Sequence, residues 1–170
     1  MALSPEEIQD CFARVRHILE AEPWYAAGHW LSSTHAFPET RPEGITFQLF
    51  KANWFNQEHH GIHFESYLDF DPCRQKKSFV ALHLLHLPKL PGSTIPRREL
   101  AHRVVDRIRP GIEAQWPGYV FRAGAYGQQP FVRRLDGSDP AFAAILAGEL
   151  KRLCLHAGPA IDAALTELGC

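Results

Sequence analysis

The sequence predicts an α+β fold: one domain over residues 1–170, with helices packed on an antiparallel β-sheet of about five strands, in the order α-βββ-α-ββ-α. Three observations carry this. Apolar residues recur at helical spacing in three long stretches. Between them lie runs in which apolar and polar residues alternate or stay continuously apolar. The links between neighbouring strand-like runs are too short for a parallel crossover, so the strands must pair antiparallel. A chain of this length buries roughly 70% of the surface its unfolded form exposes, so it needs neither a metal nor a disulfide as a staple.

The first helix opens at Ser4, the N-cap, with Pro5 at its first position and Glu7 completing a capping box. Ile8, Cys11, Phe12, Val15, Ile18 and Leu19 form its apolar stripe, and Pro23 ends it. Residues 24–43 carry Trp24, Tyr25, Trp30 and Phe37 but are interrupted by Gly28, Pro38 and Pro42. They read as an ordered connection with a short strand at 28–33. Strands follow at 44–54, 61–71 and 77–87, with a hairpin where Pro72 breaks the chain. The Pro/Gly-rich loop 88–96 leads into a helix at 97–115, whose buried face is Leu100, Val104, Val105, Ile108 and Ile112. Pro110 is expected to kink or split that helix. Two shorter strands, 119–126 and 130–135, are joined by Gly127-Gln128-Gln129. A third helix starts at Ser138 or Asp139, and Gly158-Pro159 is expected to interrupt it before a last segment around Ile161, Ala164, Leu165 and Leu168.

This element order resembles the type III secretion chaperones and the related YbjN-like domains. The resemblance is one of topology over nearly the whole chain, and no residue motif carries over with it. It implies the same α+β class and a chaperone-like role in protein contact. Those chaperones are markedly acidic, whereas this chain has a net charge of −1. The aromatic connection at 24–43 is a second departure.

Near-neutral charge argues against whole-protein attraction to nucleic acid or an anionic surface. No apolar run approaches the ~18 residues of a membrane span, and the first residues lack the basic and apolar regions of a signal peptide. The four cysteines, Cys11, Cys73, Cys154 and Cys170, form no C-x-x-C pair, so neither a zinc ribbon nor a redox dithiol is supported. Cys11 and Cys154 sit at apolar helix positions and read as buried free thiols. The expected compartment is a reducing cytoplasm.

The unusual cluster is Glu58-His59-His60-Gly61-Ile62-His63-Phe64-Glu65, with His83 and His86 on the next strand. Imidazoles and carboxylates so close together can exchange protons or hold a divalent metal. Burial selects a register in which Phe64 and Leu68 share the core face with Val80 and Leu82, and Glu65 stands opposite His83. His63, Glu65 and His83 then converge on the other face as candidate catalytic residues, with Gln48 and Tyr67 as binding neighbours. The competing reading is the solvated side of a two-faced sheet. His59 and His60 read as turn residues. In a strand, His83 and His86 would point to opposite faces, so no metal-ligand set is assigned and the cofactor is left open. No G-x-S-x-G, P-loop or G-x-G-x-x-G is present.

Two further features stand out. Arg97, Arg98, Arg103 and Arg107 crowd the helix at 97–109, a solvated face or a basic patch for a polyanion. Trp24, Tyr25, Trp30, Phe37, Trp54 and Phe55 form either a satellite core or a partner groove. With no recognised catalytic motif, the leading reading is a non-catalytic protein-interaction domain, binding a protein partner or itself. The alternative is a small metal- or acid/base-dependent hydrolase using Glu65 with His63 or His83. Nucleic-acid contact through helix 97–109 is the second alternative, disfavoured by the net charge, and no membrane partner is expected.

Overall fold

The computed structural model describes residues 3–170. Helix α1 (Pro5–Glu20) begins with the expected capping box: Ser4 Oγ accepts from the Glu7 N–H, and the Glu7 carboxylate accepts from the Ser4 N–H. Its stripe of Ile8, Cys11, Phe12, Val15 and Leu19 is buried, while Ile18 lies exposed at the stripe's edge. A short helix α2 (Pro23–Ala27) precedes strand β1 (Trp30–Phe37). Strands β2 (Gly44–Lys51) and β3 (His63–Asp69) follow, then the helical turn α3 (Pro72–Gln75) and strand β4 (Ser78–His83). Helix α4 (Arg97–Gln115), strands β5 (Tyr119–Phe121) and β6 (Phe131–Leu135), and helix α5 (Phe142–Glu167) complete the order.

The strands form one antiparallel sheet of order β1-β2-β3-β4-β6-β5. It has six strands rather than about five, because residues 30–37 make a full edge strand where the sequence shows only a short one. Ser32, Ser33 and Thr34 dilute the apolar alternation there, and pairing with β2 along its whole length supplies what local pattern does not.

One face of the sheet is the core face. Ile45, Phe47 and Leu49 of β2, Phe64 and Leu68 of β3, Val80 and Leu82 of β4 and Phe131 of β6 are buried against α1, α4 and α5. Phe12 of α1 packs its ring 5.5 Å from that of Phe47. The aromatic connection joins this core: Trp24 packs edge-on to Trp30, Trp30 to Trp54, and Trp54 to Phe64, whereas Phe37 stays exposed. The two prolines expected to break helices do not. α4 runs through Pro110 and α5 through Pro159 for 26 residues. A proline's φ is already helical, and its cost is one lost hydrogen bond and a crowded carbonyl. Both prolines face solvent, so water can take the freed carbonyl, while Ile108, Ile112, Ala157 and Ile161 anchor either side.

The β3–β4 register is shifted by two residues from the expected one. His63 pairs with His83 and Glu65 with Ala81. The cause is α3, which lengthens what reads as a tight hairpin turn. A shift of two keeps every side chain on its face, so Glu65 and His83 still share the side away from the helices. Strand β4 also stops at His83, short of the expected 87. Among the described residues no helix is long and apolar enough to cross a membrane.

Cys11 and Cys154 lie in the core where α1 and α5 meet, each 2% exposed, and burial pushes both thiols up. Cys73 and Cys170 are exposed. A thiol reagent at neutral pH should therefore modify two cysteines rapidly and the other two only on unfolding. Rapid reaction of all four in the native protein would contradict this packing.

Candidate active site

Among the described residues no helix packs on the sheet's second face. Its polar residues lie towards one end, where β2 and β4 finish and β3 and β6 begin. Three loops, 52–62, 84–96 and 122–130, gather there. The His86 N–H donates to His60 O, and the Leu84 N–H to Gln128 O. Arg97 Nη1 donates to His86 O at 2.9 Å and reaches Leu85 O at 3.4 Å.

His63 is fully buried on this face. Its Nδ1 lies 3.0 Å from both Gly61 O and Asn56 Oδ1. Asn56 Oδ1 also accepts from the Gly61 N–H, so both neighbours of Nδ1 are acceptors and Nδ1 carries the proton. Nε2 then bears the lone pair, and Gln48 Nε2 donates to it at 3.1 Å. Gln48 is itself fully engaged: its amide also reaches His59 O, and its Oε1 accepts from Asn56 Nδ2 and faces His59 Nδ1. The loop achieves this with a left-handed turn at Phe55 and another at His59. Gly61 is required by proximity, since a Cβ there would lie 2.1 Å from Phe55 O.

Glu65 stands between the two strand histidines. Its Oε1 is 3.3 Å from His83 Nδ1 and accepts from Gln129 Nε2 at 2.7 Å, while its Oε2 is 3.4 Å from His63 Nε2. Burial pushes the carboxyl up, but the neighbouring His63 and His83 imidazoles outweigh it and hold it well below the usual carboxylate range. Burial lowers the His63 imidazole, which the nearby carboxylate only partly offsets. With Nδ1 of His83 turned to Glu65, its buried Nε2 has no hydrogen-bond partner among the described residues.

His86 joins this group. Because β4 ends at His83, the chain turns out of the sheet and returns His86 to the same side. Its ring stacks on His83 at 3.8 Å, and His83 stacks on His63 at 4.7 Å. The opposite-face expectation for His83 and His86 holds only inside a strand, and His86 is outside it. Burial, with the His83 and His63 imidazoles, lowers His86 to about 4. His63, His83 and His86 each place one ligating nitrogen within 4.8 Å of the others. His59 is also more than a turn residue, since it contacts Gln48 and stacks on His35 at 3.9 Å.

The expected catalytic trio of His63, Glu65 and His83 is therefore assembled, with Gln48 beneath it. Tyr67 shares the face but turns to Phe37, and burial beside Asp69 and Glu43 pushes its phenol up to about 12. Arg103 and Arg107 on α4 both pair with Glu167 of α5, and Arg103 also with Glu99. Arg97 turns to the site loops, and Arg98 is exposed. Asn56, His86 and Gln129 were not among the expected site residues. Comparison with known protein families, curated proteins and solved structures returns no match.

Two outcomes follow. Asn56→Ala would leave the buried Gly61 N–H and Gln48 Oε1 short of a partner, costing about 1–3 kcal/mol in chemical denaturation. An effect below about 0.5 kcal/mol would place this loop in solvent. Burial, aided by the His59 and His63 imidazoles, lowers His35 to about 4 from an ordinary 6.5. The folded state thus binds fewer protons than the unfolded one. The stability this contributes is complete above pH 6.5 and declines as pH falls towards 4. His35→Gln should flatten that decline, and an unchanged profile would contradict the burial of His35.

Proposed function

We propose that this chain is a small hydrolytic enzyme working by acid/base chemistry at Glu65, His63 and His83. The observation that carries the reading is one carboxylate whose two oxygens are divided between two buried imidazoles on paired strands. Scaffold strands hold such groups to the tolerance that proton transfer needs.

His63 Nε2 and Glu65 Oε2 are both acceptors, 3.4 Å apart. Once Gln48 Nε2 turns away from His63 Nε2, a water donating to both acceptors is held ready for reaction. Its proton passes to His63 Nε2 as its oxygen bonds to an acyl or phosphoryl centre. The same proton then goes to the leaving oxygen as the bond to that oxygen breaks. His83 Nδ1 and Gln129 Nε2 keep the other carboxylate oxygen engaged, which fixes the orientation of Oε2. Phe79, Tyr67 and Phe37 extend the face away from the site and offer apolar surface to the body of an ester substrate. The free thiols fit a reducing cytoplasm, which we propose as its compartment.

The protein-contact reading has an observation of its own. β1 is an eight-residue edge strand whose Leu31 and Phe37 are exposed on the same face as the site. Edges of this kind accept a further strand from a partner or a second copy.

A panel of chromogenic carboxylic and phosphoric esters tests the enzymatic reading. The wild type should turn over at least one, and Glu65→Gln should lower kcat/KM by about 10²–10⁴ while the circular dichroism spectrum is retained. No turnover of any ester, or an undiminished Glu65→Gln variant, would leave protein contact as the surviving reading.

A further inference from the structure

We infer that His63, His83 and His86 form a three-histidine site for a divalent transition metal of the zinc type, supported by Glu65 and the Gly61 carbonyl. The inference rests on the hydrolytic reading only in placing the metal at the same centre, and its test is separate.

The first argument is convergence. One nitrogen from each ring lies within 4.8 Å of the others. In a tetrahedral site with bonds of 2.0–2.1 Å the nitrogens sit about 3.3 Å apart, so the group must close by up to about 1.5 Å, and the stacked rings must turn so that their in-plane lone pairs meet. His86 can supply much of that movement. It is exposed, it lies beyond the end of β4, and among the described residues no hydrogen bond holds its ring.

The second argument is the orphaned nitrogen. His83 is 4% exposed, and its Nε2 has no partner among the described residues. A buried polar atom without a partner is uncommon and calls for a reason. A metal bound at Nε2 supplies one.

The third argument is the outer shell. Metal-bound histidines characteristically give their other ring N–H to a carboxylate or a backbone carbonyl. Both partners are present. His83 Nδ1 faces Glu65 Oε1 at 3.3 Å, and His63 Nδ1 faces Gly61 O at 3.0 Å. Each leaves Nε2 as the outward edge, although Gln48 Nε2 must release His63 Nε2 for the metal to enter. With a metal on it His63 Nε2 no longer takes the water's proton, and Glu65 Oε2 is the base that remains.

Imidazole donors select zinc, copper, nickel and cobalt over magnesium or calcium. Three protein ligands leave a fourth position for water or substrate, the pattern of catalytic rather than structural zinc. Arg97 acts as a positioning residue, holding the His86 backbone from below through His86 O.

The test is titration of the metal-stripped full chain with Zn²⁺ against a chromogenic chelator, and with Co²⁺ followed by its visible absorption. One equivalent should bind, and Co²⁺ should give the intense d–d bands of a tetrahedral nitrogen-ligated site. His86→Ala removes an exposed side chain, so the fold should survive while affinity drops at least tenfold. Glu65→Gln should weaken binding about 10–100-fold. His17→Ala, on an exposed position of α1, should bind as the wild type does. Absence of one-equivalent binding, or a His86→Ala variant that binds as tightly as wild type, overturns the inference. Ester turnover by the metal-stripped chain would then leave the hydrolytic reading standing. Binding without turnover would keep the metal site and end that reading.

Discussion

His63 has no exposed surface, and its Nδ1 proton is shared by Gly61 O and Asn56 Oδ1. Much of the second sheet face follows from this bond. A buried imidazole with unpaired nitrogens costs more than a surface loop can recover, so residues 52–62 must fold back over the strand ends. Doing so needs two residues with side chains in the left-handed region, Phe55 and His59, and a glycine at 61. The strained turns are held because Asn56 answers Gly61, His63 and Gln48 together. Strain that persists under such over-determination is characteristic of functional sites.

The same bond sets the chemistry. With the proton on Nδ1, the Nε2 of His63 faces Glu65 as an acceptor, and Glu65 in turn orients His83. The helices contribute by being elsewhere. α1, α4 and α5 cover only the core face, which makes the strands rigid and leaves the other side to loops. The polar cluster therefore has a floor of strand residues and a loop rim that includes the exposed His86.

The core and the faces of β2, β3 and β4 were legible because alternation has a period of two and burial decides its phase. Phe64, Leu82 and Phe47 are core, and Glu65, His63 and His83 are together, as that logic requires. The pairing itself was not legible, since a shift of two leaves the pattern unchanged and the Asp71-Pro72 start of α3 serves a tight turn as well as a helix. His86 was read onto the opposite face because Leu84 and Leu85 continue the apolar run past the point where β4 ends. Asn56 and Gln129 reach the site through loop closure, which no local pattern encodes. The prolines at 110 and 159 show tertiary anchoring overriding a local breaker.

Nitrogen-15 NMR of the histidine side chains tests the central claim most directly, because it reports which ring nitrogen carries the proton. In the metal-free protein at neutral pH, His63 should appear as a single, slowly exchanging Nδ1–H tautomer with an unprotonated Nε2. A predominant Nε2–H form, or the averaged signal of a freely solvated imidazole, would contradict the network around Gly61 and Asn56 and with it the site built on that network.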